Sequence, residues 1–129
     1  RFFVAVVAPD ARCVADEKEV TEGHWLTPHE ALARHDRCEM ALPPPTLWNL
    51  LDLAEFRDIP EVLAAARARD LTPVAPRVLA TETGSIALVL PGDPCYEDPT
   101  APPPPIERQR RFVLEDGRWV ARRGGGDVR

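Results

Sequence analysis

The chain has 129 residues, 44% of them hydrophobic, and its 16 basic and 21 acidic residues give a net charge of −5. That size and apolar content suit one domain with a modest core. The acidic balance excludes a sequence-independent binder of duplex nucleic acid, which needs basic residues gathered on one face to release counterions. Charges or prolines interrupt every hydrophobic run before it reaches the roughly 20 residues needed to cross a bilayer, so a soluble, cytoplasmic protein with no membrane partner is expected.

Cys13, Cys38 and Cys95 are odd in number and widely spaced, with no Cys-x-x-Cys pair, which argues for reduced thiols rather than a disulfide framework or a zinc knuckle. The chain opens Arg1-Phe2-Phe3-Val4 with no initiator methionine and no leader-like segment, and is expected to be a cut from a longer polypeptide.

Residues 2–7 form an unbroken apolar, β-branched and aromatic run ended by Ala8-Pro9-Asp10, the pattern of a strand buried on both faces, and a central strand is predicted there. A polar connection follows over residues 10–18. Residues 19–26 then predict a second strand anchored by Val20 and Trp25, whose spacing requires a bulge to put them on one face.

Thr27-Pro28-His29-Glu30 carries the chemistry of a helix start: a capping hydroxyl, a proline at the first helical position and a glutamate three residues on. A short helix is predicted over residues 28–35. Pro43-Pro44-Pro45 predicts a stiff extended corner, followed by a helix capped by Thr46 that carries Leu47, Leu50, Leu51 and Ala54 on one stripe and ends near Phe56. Ile59, Val62, Leu63 and Ala66 predict a third helix, with Pro60 in its first turn and Asp70 and Pro73 closing it.

Beyond Pro76 the pattern becomes strand-like. Residues 77–81 and 85–90 flank Glu82-Thr83-Gly84 as a hairpin, and Pro91-Gly92-Asp93-Pro94 turns the chain sharply. Residues 98–107, with prolines at 102 to 105, predict an extended spacer; residues 108–121 hold a terminal hairpin around Glu115-Asp116-Gly117; residues 122–129 predict a disordered tail. No internal repeat is present.

Several chemical motifs fail on inspection. His29-Glu30-Ala31-Leu32-Ala33 begins like a zinc-protease helix, but the second imidazole that chemistry needs falls at Ala33. His24, His29 and His35 therefore read as surface or packing residues. No phosphate-cradling glycine loop and no nucleophile elbow is found. Glu17, Glu19 and Glu22 are carboxylates of the type that holds hard cations or orients water; the plainer reading of the same residues is a solvated strand face and loop.

The succession of residues 1–6, an acidic loop, Glu19-Val20, His24-Trp25-Leu26-Thr27-Pro28 and Glu30-Ala31-Leu32 resembles the second half of a Nudix hydrolase domain, the part that follows the catalytic box. Leu42-Pro43-Pro44-Pro45-Thr46-Leu47 and Leu90-Pro91-Gly92-Asp93-Pro94 resemble a bacterial subgroup related to coenzyme A-cleaving Nudix enzymes. A bacterial origin also agrees with the bias toward arginine, alanine and proline expected of a GC-rich genome, Lys18 being the sole lysine. The resemblance covers residues 1–97, with a helical insertion at 46–69 and a looser match at 111–120.

The resemblance implies an α+β chain forming part of an α/β/α sandwich with a mixed sheet. It implies Mg2+ or Mn2+ as cofactor, and hydrolysis of a nucleoside diphosphate linked to another moiety, coenzyme A-like or another nucleotide derivative. The metal would neutralise pyrophosphate charge and activate water while a glutamate orients it. By position, Glu19 and then Glu22 are the auxiliary metal or water contacts. The box itself requires Arg-Glu and Glu-Glu pairs that this chain lacks, so it is expected upstream of Arg1 and the chain alone is expected to be inactive.

Two other readings stay open. One is a non-catalytic Nudix-like module that binds a nucleotide or a protein through the surface around Trp48 and the prolines. The other is an accessory region of a metallo-β-lactamase-type hydrolase. The helical insertion serves either the pocket or the face of a homodimer.

Overall fold

A computed structural model of the protein describes residues 2–14, 22–81, 83–97 and 110–122. Glu17, Glu19, Val20, the spacer at 98–107 and most of the C-terminal tail lie outside the described residues. The class is α+β, as predicted: helices α1 (Pro28–Asp36), α2 (Pro44–Leu53), α3 (Ile59–Ala68) and the short α4 (Pro94–Glu97) accompany strands β1 (Arg77–Ala80), β2 (Ile86–Val89), β3 (Arg111–Glu115) and β4 (Arg118–Arg122).

The first helix starts as its residues dictate. Thr27 Oγ1 accepts from the Glu30 amide at 3.2 Å, and the Glu30 carboxylate accepts from the Thr27 amide at 2.8 Å, so two amides without intrahelical partners are satisfied reciprocally. In α2 the prediction needs correction. Pro43 is the N-cap and Pro44 and Pro45 occupy the first turn, so the prolines begin the helix instead of standing before it, and Thr46 is not its cap. First-turn amides have no intrahelical acceptor, so proline loses nothing there. In α3, Asp58 caps the helix through the Glu61 amide at 2.9 Å.

The four strands lie in the order β1-β2-β3-β4, each pair antiparallel. The mixed sheet implied by the resemblance is thus not what the described residues form. Glu115 pairs with Arg118 across Asp116 and Gly117, both at positive φ (49° and 78°), the conformation of a two-residue hairpin turn that matches the twist of its strands. The terminal hairpin joins the rest of the sheet through β2–β3 pairing.

Residues 2–7, predicted as a central strand, are irregular and exposed, with Phe3 87% accessible, and the described part of the second predicted strand, residues 22–26, is likewise irregular, with Trp25 exposed. A strand needs a ladder partner to satisfy its amides and carbonyls, and neither edge of the described sheet takes these segments. The core instead gathers Leu42, Leu47, Leu90 and Phe112, with Leu32, Trp48, Leu88 and Trp119 packed against it. It is a helix-on-sheet core: α1 packs on α2, and α2 on β4.

Candidate functional site

Among the described residues the buried polar side chains are His35, Asp52, Asp93 and Arg111; Asp52 pairs with the exposed Arg69, and the other three build two buried constellations. The first centres on Arg111 of β3 and Asp93 of the turn leaving β2. Arg111 Nε donates to Asp93 Oδ2 at 3.0 Å and Nη2 donates to Oδ1 at 2.7 Å, a bidentate fork with both side chains almost fully removed from water. Asp93 Oδ1 also accepts from the Cys95 amide at 2.9 Å, and Arg111 Nη2 approaches Cys95 Sγ at 3.2 Å. The Asp93 hydrogen bond raises the guanidinium pKa further, against the opposing effect of burial, so the pair is a fixed ion pair.

This cluster holds shape: it ties the Pro91-Gly92-Asp93-Pro94 turn to β3. Gly92, at φ 89°, has its α-carbon against the Arg110 side chain, where an added Cβ would come within 3.2 Å.

The second constellation surrounds His35, buried on α1. Its Nε2 lies 2.7 Å from the Trp119 carbonyl of β4, and its Nδ1 lies 3.2 Å from the Leu42 amide and 3.0 Å from the Met40 carbonyl. The neutral tautomer protonated on Nε2 donates to Trp119 and accepts from Leu42, so one ring joins the helix, the following connector and the last strand. The sequence reading of His35 as a packing residue agrees with this placement.

A surface pocket of about 400 Å³ opens beside this ring, between the connector and the β3–β4 turn. Met40, Leu42, Pro43 and Trp119 supply apolar wall, and Arg118 supplies a cation. The Arg118 Nη1 donates to the carboxylate of exposed Asp36 at 3.0 Å.

Of the two site residues expected from the sequence, Glu19 lies outside the described residues and Glu22 is in neither constellation. Glu22 is exposed and pairs with His24, Oε2 to Nε2 at 3.2 Å. Among the described residues no group of three or more His, Cys, Asp or Glu side chains is arranged to hold a metal ion, so this part of the structure does not fit a divalent-metal centre. Cys95 is buried against Arg111, and Cys13 and Cys38 are exposed.

Sequence reasoning passed over Asp93, Arg111 and the pocket. The signals in the sequence are a carboxylate set inside a Pro-Gly-x-Pro turn and an arginine opening the apolar run Phe112-Val113-Leu114.

No protein-family model matches the chain, and no solved structure matches it. Over 102 residues it is 34% identical to acyl-coenzyme A diphosphatase NUDT19 of Xenopus laevis. The alignment takes in 76% of this chain and 27% of that protein, so the chain spans about a quarter of the length of this curated relative. The similarity supports the reading of this region as Nudix-related.

Proposed function

We propose that this chain is part of a metal-dependent Nudix-type hydrolase that cleaves a nucleoside diphosphate linked to another moiety, with a coenzyme A derivative as substrate. The observation that carries the proposal is the 34% identity to an acyl-coenzyme A diphosphatase over 102 residues. In this reading the catalytic box and its Mg2+ or Mn2+ lie outside residues 1–129. The described residues form a body of helices against a sheet, and no reaction step is assigned to them. Glu19 and, second, Glu22 are proposed as auxiliary contacts to metal or water.

The test is divalent-metal-dependent release of products from coenzyme A and its acyl derivatives by the full-length protein. Cleavage that disappears on chelation is expected. Absence of cleavage with Mg2+ and with Mn2+ sinks the proposal. Replacing an outer contact of a metal or its water commonly lowers activity about 10- to 100-fold, and Glu19→Gln in the full-length protein is expected to fall in that range. Unaltered turnover and unaltered metal dependence in that variant remove Glu19 from the site.

The second reading, a non-catalytic Nudix-like binding module, is favoured by one observation: the pocket beside His35 is built entirely from described residues of this chain. Ligand binding without cleavage by the full-length protein would select it.

A further inference from the structure

The two edges of the described sheet differ. At the β4 edge the Trp119 carbonyl is taken by His35 Nε2 at 2.7 Å, so α1 occupies part of it. The β1 edge has no such cover. The Thr81 amide donates to the Ser85 carbonyl at 2.9 Å, and hydrogen-bonded pairs alternate along an antiparallel ladder, so Leu79 bonds with Ala87 and Arg77 with Val89. The N–H and C=O groups of Val78 and Ala80 therefore point away from β2, and no described residue bonds to them.

Apart from being short, this edge lacks the devices that keep exposed strands from pairing. β1 matches β2 residue for residue without a bulge and holds no proline or lysine. Its one charge, Arg77, is turned back onto α4, where Nη1 donates to the Tyr96 carbonyl and the guanidinium lies over the Tyr96 ring. On one face of the sheet Phe112, Leu88 and Val78 stand opposite one another across three strands. Phe112 is 1% exposed and Val78 67%, so the helix layer that covers this row at β3 stops before β1. Ile86, opposite Ala80 on the same face, is exposed as well.

We propose that the β1 edge pairs with the β1 edge of a second copy of this chain, antiparallel about a two-fold axis through Leu79. In that register Val78 faces the partner's Ala80 and Ala80 faces the partner's Val78, so two N–H and two C=O groups from each copy are all satisfied. A shift of two residues one way sets Ala80 opposite Pro76, which has no N–H to give, and the opposite shift carries Val78 beyond the end of the partner strand. Arg77 falls opposite Thr81, so no like charges meet. The apolar row then continues across the axis, from Phe112, Leu88 and Val78 of one copy to Ala80 and Ile86 of the other. An unrelated extended peptide could use the same hydrogen-bonding groups, but a second copy supplies the matching apolar row by symmetry. This pairing is independent of the hydrolase reading.

Sedimentation equilibrium of the full-length protein is expected to show a monomer–dimer equilibrium with a dissociation constant on the order of 10 to 100 µM, because a ladder this short buries less area than stable interfaces do. Hydrogen exchange at the Val78 and Ala80 amides should slow as the dimer forms, whereas the Leu79 amide, bonded to β2, is protected at every concentration. Val78→Pro removes an N–H directed away from β2, so it is expected to keep the β1–β2 ladder and weaken association about tenfold or more. Val78→Lys leaves the backbone unaltered and brings two like charges to diagonal positions on one face, with the same expected direction. In a Cys13→Ser, Cys38→Ser background, Leu79→Cys is expected to form an intermolecular disulfide under oxidised glutathione, since the α-carbons of such an opposed pair lie about 4.5 Å apart. Ala80→Cys, which faces Val78, should cross-link far more slowly.

A full-length protein that stays monomeric through this concentration range would overturn the proposal and leave the edge to an unrelated extended peptide. Val78 and Ala80 amides protected at every concentration would overturn it by assigning the edge to another segment of the same polypeptide. A dimer indifferent to both Val78 variants, or Ala80→Cys cross-linking as readily as Leu79→Cys, would overturn it by placing the contact elsewhere or in another register.

Discussion

Two apolar runs in this chain have nearly the same composition and opposite fates. Residues 2–7 and residues 86–90 are both short, β-branched and uninterrupted by charge. In the second, Ala87 and Val89 have no accessible surface; in the first, Phe3 is almost fully exposed. The difference is pairing. Residues 86–89 have β1 on one side and β3 on the other, with α1 and α2 supplying the helix layer of the core, whereas residues 2–7 lie against neither edge of the described sheet. Apolar patterning says that a segment gains by burial, but it does not supply the partner.

The largest test of that contrast replaces one phenylalanine in each region. Phe112, on β3 beside the second run, is 1% exposed and is expected to cost about 3–5 kcal/mol when changed to alanine, because transfer and cavity terms add. Phe3→Ala is expected to change stability by no more than about 0.5 kcal/mol. Denaturant unfolding of the two variants checks both figures. A cost for Phe3→Ala approaching that of Phe112→Ala would mean that the first run is covered in solution.

What fixes the second run at its exit is the ion pair between Asp93 and Arg111, and breaking it is the next test. Asp93→Ala leaves a buried guanidinium without its counter-charge and is expected to destabilise the fold by about 3–5 kcal/mol. Replacing both residues together, as Asp93→Ala with Arg111→Met, is expected to recover much of that loss, since the desolvation of two ions is removed with their attraction. A double variant no more stable than the single one would show that the pair's hydrogen bond to the Cys95 amide, not its charge, holds the turn. At the opposite end of β3, Gly117→Ala is a smaller perturbation. Its φ of 78° is left-handed, so a cost of about 1–2 kcal/mol is expected in the same unfolding measurement.

These residues also mark what the sequence could and could not disclose. Thr27 with Glu30, and Asp116 with Gly117, act within four positions along the chain, so their chemistry is readable from the order of residues alone. The start of α2 was misplaced because three prolines read equally well as a corner or as a first turn; the choice depends on whether Leu47 and its neighbours find a core to face. Asp93 and Arg111 are 18 positions apart, and His35 meets the Trp119 carbonyl across 84. Nothing local in those side chains announces such partners. The pocket inherits the same opacity, since its two walls come from a connector and a turn that meet only when β4 packs beneath α1 and α2. Glu19 and Glu22 are singled out only by position in a resemblance, and Glu22 is held by a surface contact with His24 that no periodicity contains.

The boundary between the irregular residues 22–26 and helix α1 falls at the capping box, which makes it the place for the gentlest test. Thr27→Ala is expected to cost about 1 kcal/mol by freeing a first-turn amide. Glu30 adds a pH dependence of known sign. Its carboxyl pKa is lowered first by the hydrogen bond from the Thr27 amide, then by the Thr27 hydroxyl, with Arg34 adding a smaller charge effect. A folded-state pKa below the unfolded value means that the stabilisation is fully present above the unfolded pKa and disappears as pH falls through the folded one. Fraying of α1, read by hydrogen exchange of its first-turn amides, should therefore increase on acidification through and below the ordinary carboxyl range. Glu30→Gln retains a hydrogen-bond acceptor but does not titrate, so it is expected to flatten that profile without abolishing the helix. A profile unchanged by the substitution would mean that another carboxylate governs the boundary, and that the reciprocal contact between Thr27 and Glu30 is incidental to where α1 begins.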